Sequence, residues 1–254
     1  MGLLNALKQK SIGYGGYGLL RWIKDHFVDP QRAREFRERE AFFGALIKPG
    51  DLCFDVGSNI GDISAVLLRL GARVVAIDPQ PRAMHELKAR LGAYPRLTCL
   101  ETGLGAAPGE ATLFLTEGVG TCSMVQDWLP GVAAKGSVKV PVTTLNAVIA
   151  RHGRPAFCKI DVEGFELEVL KGLSGGLPLV SIEYHMTAED LAKITQCLDR
   201  LGAFGPISLN LIPSDRAKFA WPDWLDRTEF DRRFPGELRD DPAFAYGDIF
   251  IRQS

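Results

Sequence analysis

Residues 51–62 read DLCFDVGSNIGD, and the fold can be built outward from them. Leu52, Cys53, Phe54 and Val56 form a short apolar run, the pattern of a strand buried on both faces. The run carries one acid, Asp55, at its C-terminal end. It breaks at Gly57 and restarts as a helix with Ile60, Ile63, Val66, Leu67 and Leu70 on one face. A buried strand ending in a carboxylate and a glycine turn, then a helix, is the nucleotide-cofactor crevice of an open α/β sheet. Seventeen residues past Gly61 a second strand, Arg73–Ile77, ends in Asp78, placed to hydrogen-bond the hydroxyls of a ribose.

The spacing of the glycines narrows the cofactor. Gly57 and Gly61 are separated by three residues, so the G-x-G-x-x-G pattern is absent, and with it the glycine that admits a pyrophosphate. The turn offers Asp55, Ser58 and Asn59 instead. A carboxylate there repels phosphate and suits a cation, and S-adenosylmethionine carries two, an α-ammonium and a sulfonium. A nicotinamide oxidoreductase would share the sheet and the ribose acid, but it is disfavoured by the missing glycine.

Composition sets the outer bounds. The 254 residues are 46% hydrophobic, enough to bury the core of one α/β domain with additions. With 30 basic and 31 acidic residues, no broad field favours nucleic acid. Five cysteines are scattered singly without a C-x-x-C pair, which argues against a zinc site and suits a reducing cytoplasm. No apolar stretch approaches the ~20 residues of a membrane span, and no signal-peptide core is evident.

Two regions are expected: an N-terminal helical extension over 1–40 and the main domain over 41–254. The extension holds apolar residues (Leu3, Leu4, Leu7, Tyr14, Tyr17, Leu19, Trp22) and a mixed-charge helix, Gln31–Glu40, read as a cap on the sheet. A membrane surface or a partner is the alternative use of those apolar groups. Beyond Ala41 the βα rhythm is regular. Thr112–Leu115 and Val138–Val142 read as extra strands around a polar loop. Core strands Leu97–Leu100, Ala156–Ile160 and Leu179–Ile182 follow, the last ending in Glu183. Thr187 with Asp190 forms a capping-box pattern, and Ile207–Ile212 and Asp248–Ile251 close the sheet.

Asp55, Asp78, Asp161 and Glu183 thus each end a core strand, with Glu101 after the third, and strand ends share one rim of such a sheet. Lys159 in an apolar strand needs a counter-charge, and an ion pair with a neighbouring acid is its favoured role. If Lys159, Asp161 and Glu163 continue extended, they share one face.

DVGSNIG, IDP and above all KIDVEGFELEVLKG (159–172) closely resemble the FkbM-type S-adenosylmethionine-dependent methyltransferases, over most of Pro49–Tyr184. VPVTTLNAVI resembles the family's preceding strand and helix, except that Asn146 stands where an aspartate is usual. The resemblance implies a class I methyltransferase (Rossmann-like) fold, a seven-strand mostly parallel sheet with helices on both faces. It also implies O-methylation of a sugar, a glycan or a small secondary metabolite. Carried over by position, Asp55, Gly57, Ser58, Asn59 and Gly61 hold the methionine half of the donor and Asp78 the ribose. Glu101, Thr102 and Gly103 meet the adenine, and Asp161 sits beneath the sulfonium.

A general base adds ~10²–10⁴-fold for a hydroxyl acceptor. The candidates are His185, Asp161 and Glu183, with Glu163 beside them and Tyr184 behind. His185 is the natural acceptor of a proton near neutral pH, while His26, His85 and His152 read as surface residues. A rival mechanism has Asp161, Glu183 and His185 ligating Mg²⁺; it ranks second, and no metal site is assigned. Segments 116–137 and 213–247 are read as covers of the acceptor, with Trp221 and Trp224 as acceptor contacts and Thr121, Ser123 and Met124 lining the first loop. A nucleic-acid methyltransferase and a non-catalytic cofactor-binding module complete the alternatives.

Overall fold

The computed structural model describes residues 30–253, apart from 118, 127, 129, 130, 132, 215, 235 and 237–241. The apolar residues of the N-terminal extension (Leu3, Leu4, Leu7, Tyr14, Tyr17, Leu19, Trp22) and His26 lie outside the described residues. Helix α1 (Pro30–Gly44) begins the described chain and runs straight through the expected boundary at residue 40. Its C-terminal half carries the reason: Phe43 is buried against Phe157 and Phe250, with ring centroids 5.6 and 6.4 Å away. That end of α1 is part of the sheet's core.

β1 (Leu52–Val56) is buried at every residue, as its all-apolar run predicts. It leads through the glycine turn into α2 (Asp62–Arg69), then β2 (Arg73–Ile77), α3 (Pro81–Leu91) and β3 (Leu97–Leu100). Next come β4 (Gly103–Leu104), β5 (Gly109–Leu115) and β6 (Gly136–Thr143), then α4 (Leu145–His152), β7 (Phe157–Ile160) and α5 (Glu166–Lys171). β8 (Leu179–His185), α6 (Ala188–Gly202), β9 (Ile207–Pro213), β10 (Leu225–Asp226), α7 (Arg227–Arg233) and β11 (Tyr246–Gln253) complete the described elements.

The main sheet has the order β10-β9-β11-β8-β7-β1-β2-β3. β3, β2, β1, β7 and β8 pair in parallel, and β11 is inserted antiparallel between β8 and β9. The expected seven-strand sheet is therefore present, with a two-residue eighth strand at its edge. β4, β5 and β6 form a separate three-stranded sheet, in which the two expected extra strands make a hairpin.

One face of the sheet packs Phe54, Val56 and Ile160 against Val148 of α4, Val169 of α5 and Ile194 of α6. The other packs Cys53, Phe157 and Phe250 against α1, Val66 and Leu67 of α2 and Leu87 of α3. Burying each such side chain contributes about 1.5–3 kcal/mol, which makes the sheet a rigid platform for its rim.

Two sequence expectations shift here. β8 continues past Ile182 to His185, because β11 pairs with it as far as Tyr246 against His185. Glu183 is thus two residues inside the strand and opposite Asp248, not at its end. On the other side, β7 stops at Ile160, and Glu163 adopts a left-handed φ of 57°, so the extended run does not reach it. Among the described residues no helix is long and apolar enough to cross a membrane.

Candidate active site

The turn after β1 is held from below. The N–H groups of Gly57 and Ser58 donate to the Ile77 carbonyl at 2.9 and 3.1 Å, locking the turn onto β2. Gly57 has φ 79°, and a Cβ there would lie 1.6 Å from the carbonyl oxygen of Asp161. Only glycine lets the first turn and the end of β7 approach this closely. Asn59 also has positive φ, and its N–H donates to the Asp78 carboxylate at 2.8 Å. From α3, Arg90 bonds the Ile60 carbonyl and pairs with Asp62 at 2.7 Å, closing the far side of the turn.

Two cavities open on this rim and share Gly57, Asn59 and Asp161. The first runs across the ends of β1, β2 and β4, past Ile77, Asp78, Thr102, Gly103 and Met124 to Glu163. The second lies on the α1 side, between Arg39, Ser58, Glu183, Arg216, Tyr246 and Asp248. Ser58 is buried, and neither its Oγ nor the Asn59 Oδ1 has a hydrogen-bond partner among the described residues. Buried polar atoms of this kind are costly unless satisfied, so a ligand with polar groups fits here.

Asp78 keeps one carboxylate oxygen on the Asn59 N–H and the other on the Gln80 N–H, each at 2.8 Å. Each oxygen retains a lone pair for a hydroxyl. Burial raises its pKa against those two hydrogen bonds. Asp55 is 1% exposed and accepts a 2.6 Å hydrogen bond from Ser64. Burial pushes it up to about 6, opposed by Ser64 and by Lys159. Gly61 has φ 86° and lets α3 press Leu87 and Leu91 against the turn.

The densest chemistry lies where β7 and β8 end and β11 begins. Lys159 is buried, and its ammonium sits 3.0 Å from Asp161 and 2.9 Å from Asp248, the ion pair its apolar strand demanded. Burial alone would lower that ammonium, yet Asp161, Asp248 and Glu183 hold it well above its ordinary range. Carboxylate oxygens of Asp161, Glu163 and Glu183 lie within 4.8 Å of one another. Burial, then the charge of Asp161, drives both Glu163 and Glu183 far above the usual carboxylate range. Glu166 anchors the loop beneath them, accepting from the N–H groups of Val162 and Gly164 at 3.0 and 3.2 Å.

Several sequence assignments land elsewhere. Glu101 points to the surface and pairs with Lys88 at 3.3 Å, outside both cavities, because β3 is the exposed edge of the sheet. His185 is absent from the carboxylate cluster and from both cavity linings; its ring lies between Trp128 and Tyr246. Tyr184 is fully buried on the opposite face of β8 against Phe234. Trp224 stacks under Arg252, opposite Leu179 at the start of β8, so it lies at the far end of the sheet from the rim. Trp221 is buried against Phe230. Both tryptophans are packing residues. Ser123 and Met124 do line the first cavity, and the Ser123 hydroxyl donates to the Glu163 carbonyl at 2.6 Å. Thr121 instead accepts from the Trp128 indole through its carbonyl. Asn146, at the position of the usual aspartate, ties α4 to Ser174.

Asp248, Arg39 and Arg216 carry no motif and were not assigned to the site, whereas Tyr246 belongs to the aromatic segment read as a cover of the acceptor. Only the unpaired cation Lys159 signalled that another acid had to be near.

A parallel sheet with one antiparallel insertion, a buried acid after β2 and an acid-lined crevice define a class I methyltransferase. Residues 55–203 match the methyltransferase FkbM domain, so this chain belongs to that family and is a methyltransferase. It is 26% identical over 174 residues to the hexuronic acid methyltransferase AglP of Haloferax volcanii, covering 64% of this chain and 70% of that one. Among solved structures, precorrin-6y C5,15-methyltransferase from Geobacter metallireducens is 10% identical with a TM-score of 0.41, covering 85% of this chain and 88% of that one. A TehB-like SAM-dependent methyltransferase from Corynebacterium glutamicum is also 10% identical, with the same coverages and a TM-score of 0.45.

Proposed function

We propose that the chain transfers a methyl group from S-adenosylmethionine to a hydroxyl of a sugar or glycan. The observation that carries this reading is the three-carboxyl cluster at the point where the two cavities meet. When bound, S-adenosylmethionine supplies an electrophilic methyl group on a cationic sulfur. In this reading Asp78, Thr102 and Gly103 hold its nucleoside half. Gly57, Ser58 and Asn59 hold its methionine half, the unpartnered Ser58 Oγ and Asn59 Oδ1 finding their hydrogen bonds there. Asp161, fixed by Lys159 and by its own N–H on the Val56 carbonyl at 2.9 Å, supplies negative charge beside the cationic centre.

Methylating a hydroxyl leaves one proton to be removed. Glu183 faces the second cavity and is the proposed proton acceptor, with Glu163 and Asp161 sharing the charge. In this arrangement His185 is the alternative. Glu183→Gln is expected to lower kcat by about 10²–10⁴-fold while leaving the affinity for S-adenosylhomocysteine within a few-fold. A larger loss in His185→Gln than in Glu183→Gln would move the proton acceptor to the histidine.

The acceptor class rests on two supports. The Haloferax relative is named for a hexuronic acid, and Arg39 and Arg216 line the second cavity, where they suit an acidic sugar. Mg²⁺ ranks below the base mechanism, because a lysine ammonium already neutralises Asp161 at 3.0 Å. Activity that survives EDTA accords with this order. All five cysteines are free, which accords with a cytoplasmic setting.

A further inference from the structure

Beside the second cavity three rings are in contact, Tyr246, His185 and Trp128, and none of them belongs to the donor site proposed above. Tyr246 lines that cavity and is 38% exposed, the one exposed large hydrophobic side chain among the described residues. Its ring is nearly parallel to that of His185, with centroids 6.4 Å apart and an interplanar angle of 26°. Trp128 also meets His185, edge-on at 5.5 Å. The register sets the pair, because Tyr246 at the start of β11 is directly opposite His185 at the end of β8.

The three rings are held in place. The Trp128 indole N–H donates to the Thr121 carbonyl at 3.2 Å, and Trp128 packs on Gly164, where a Cβ would come within 3.6 Å of it. The His185 backbone N–H donates to the Asp190 carboxylate at 2.5 Å. Asp190 is itself fixed at the start of α6 by the Thr187 hydroxyl, which accepts from the Asp190 N–H. The front ring thus neighbours a tryptophan tied by its indole N–H and a histidine carried on a hydrogen-bonded strand end, an arrangement with little entropy left to lose on binding. Glu183, on the same face of β8 two residues before His185, brings the carboxylate cluster next to this wall.

An aromatic face beside a proton-accepting carboxylate suits a ligand with an apolar face and a hydroxylated edge. A pyranose ring is such a ligand: its axial C–H groups lie on an aromatic surface while its hydroxyls reach polar groups at the margin. We propose that Tyr246, in contact with His185 and through it with Trp128, is the platform on which the acceptor's sugar ring lies, presenting a hydroxyl toward Glu183. The proposal rests on the sugar-acceptor reading above and adds the residues that recognise the ring. It also gives His185 a positioning part in place of a proton-transfer one.

The test uses the full chain saturated with S-adenosylhomocysteine and methyl β-D-glucuronide as the probe. Saturation-transfer NMR, irradiating the aromatic protons, is expected to label the glucuronide's axial ring protons in the wild type. Tyr246→Leu should weaken glucuronide binding roughly five- to tenfold and abolish that labelling, while Tyr246→Trp restores both. Affinity for S-adenosylhomocysteine, set by other residues, reports that each variant is folded. Glucuronide methylation with axial labelling that persists in Tyr246→Leu would overturn the platform alone. Absence of both binding and methylation of the glucuronide and of methyl β-D-glucoside would overturn the platform together with the sugar-acceptor reading.

Discussion

Gly57→Ala is expected to weaken S-adenosylhomocysteine binding by more than about 100-fold and to lower the melting temperature. Two independent costs fall on that one methyl group. The φ of 79° lies in the left-handed region, which costs a non-glycine residue roughly 1–2 kcal/mol. The added Cβ would also fall 1.6 Å from the Asp161 carbonyl oxygen, so the turn and the end of β7 must separate. The separation moves Asp161, which both cavities share, and disturbs the turn whose N–H groups are bonded to Ile77. Calorimetry and a thermal melt on the same preparation check both effects. Wild-type affinity in this variant would mean that the donor does not lie across the junction of β1 and β7.

The second large effect is a pH dependence that distinguishes the donor from its product. Glu163 and Glu183 are half-buried beside Asp161, and that burial, then that charge, raises both. Lys159 opposes the rise, Asp248 adds to it at Glu183, and Glu166 adds to it at Glu163. The pair therefore holds a proton at pH values where free carboxyls do not. A cationic sulfonium favours the ionised form and expels that proton on binding, whereas the neutral sulfur of S-adenosylhomocysteine does not.

Affinity for S-adenosylmethionine should accordingly rise, relative to that for S-adenosylhomocysteine, as pH increases from about 6 to 9. The limit is about tenfold per pH unit for each proton released. Taking the ratio cancels the ammonium and carboxylate that the two ligands share. The same linkage acts on the ligand-free protein: groups raised on folding stabilise it at low pH, and that stability is lost as pH rises. Glu183→Gln should flatten the ratio. A flat ratio in the wild type would mean that the cluster does not face the sulfur.

The centre of the fold was legible because it obeys local rules. β1 is buried on both faces and, Asp55 aside, is apolar; Gly57 and Gly61 must permit positive φ, and Asp78 follows its strand at fixed distance. Thr187 caps α6 through the Asp190 N–H as its spacing implied.

What escaped depends on pairing across long sequence separations. Glu183 lies inside β8 only because β11, more than sixty residues later, extends the ladder past it. Asp248 neutralises Lys159 across 89 residues, which no local pattern encodes. Trp224 resembled an acceptor contact because aromatic residues crowd that segment, but the path through β10 carries it to the opposite end of the sheet. The bend at Glu163 escaped because a left-handed glutamate has no sequence signature, although the following glycine, with φ 88°, marks it.

The most direct test of the central claim is calorimetric titration of S-adenosylmethionine into the wild-type chain and into Asp78→Ala. Binding at one site is expected in the wild type, weakened at least about tenfold in the variant through loss of hydrogen bonds to a charged group. NAD⁺ should give no heat. Equal affinity in the two proteins, or heat from NAD⁺ and none from S-adenosylmethionine, would contradict the assignment of this crevice to a cationic methyl donor.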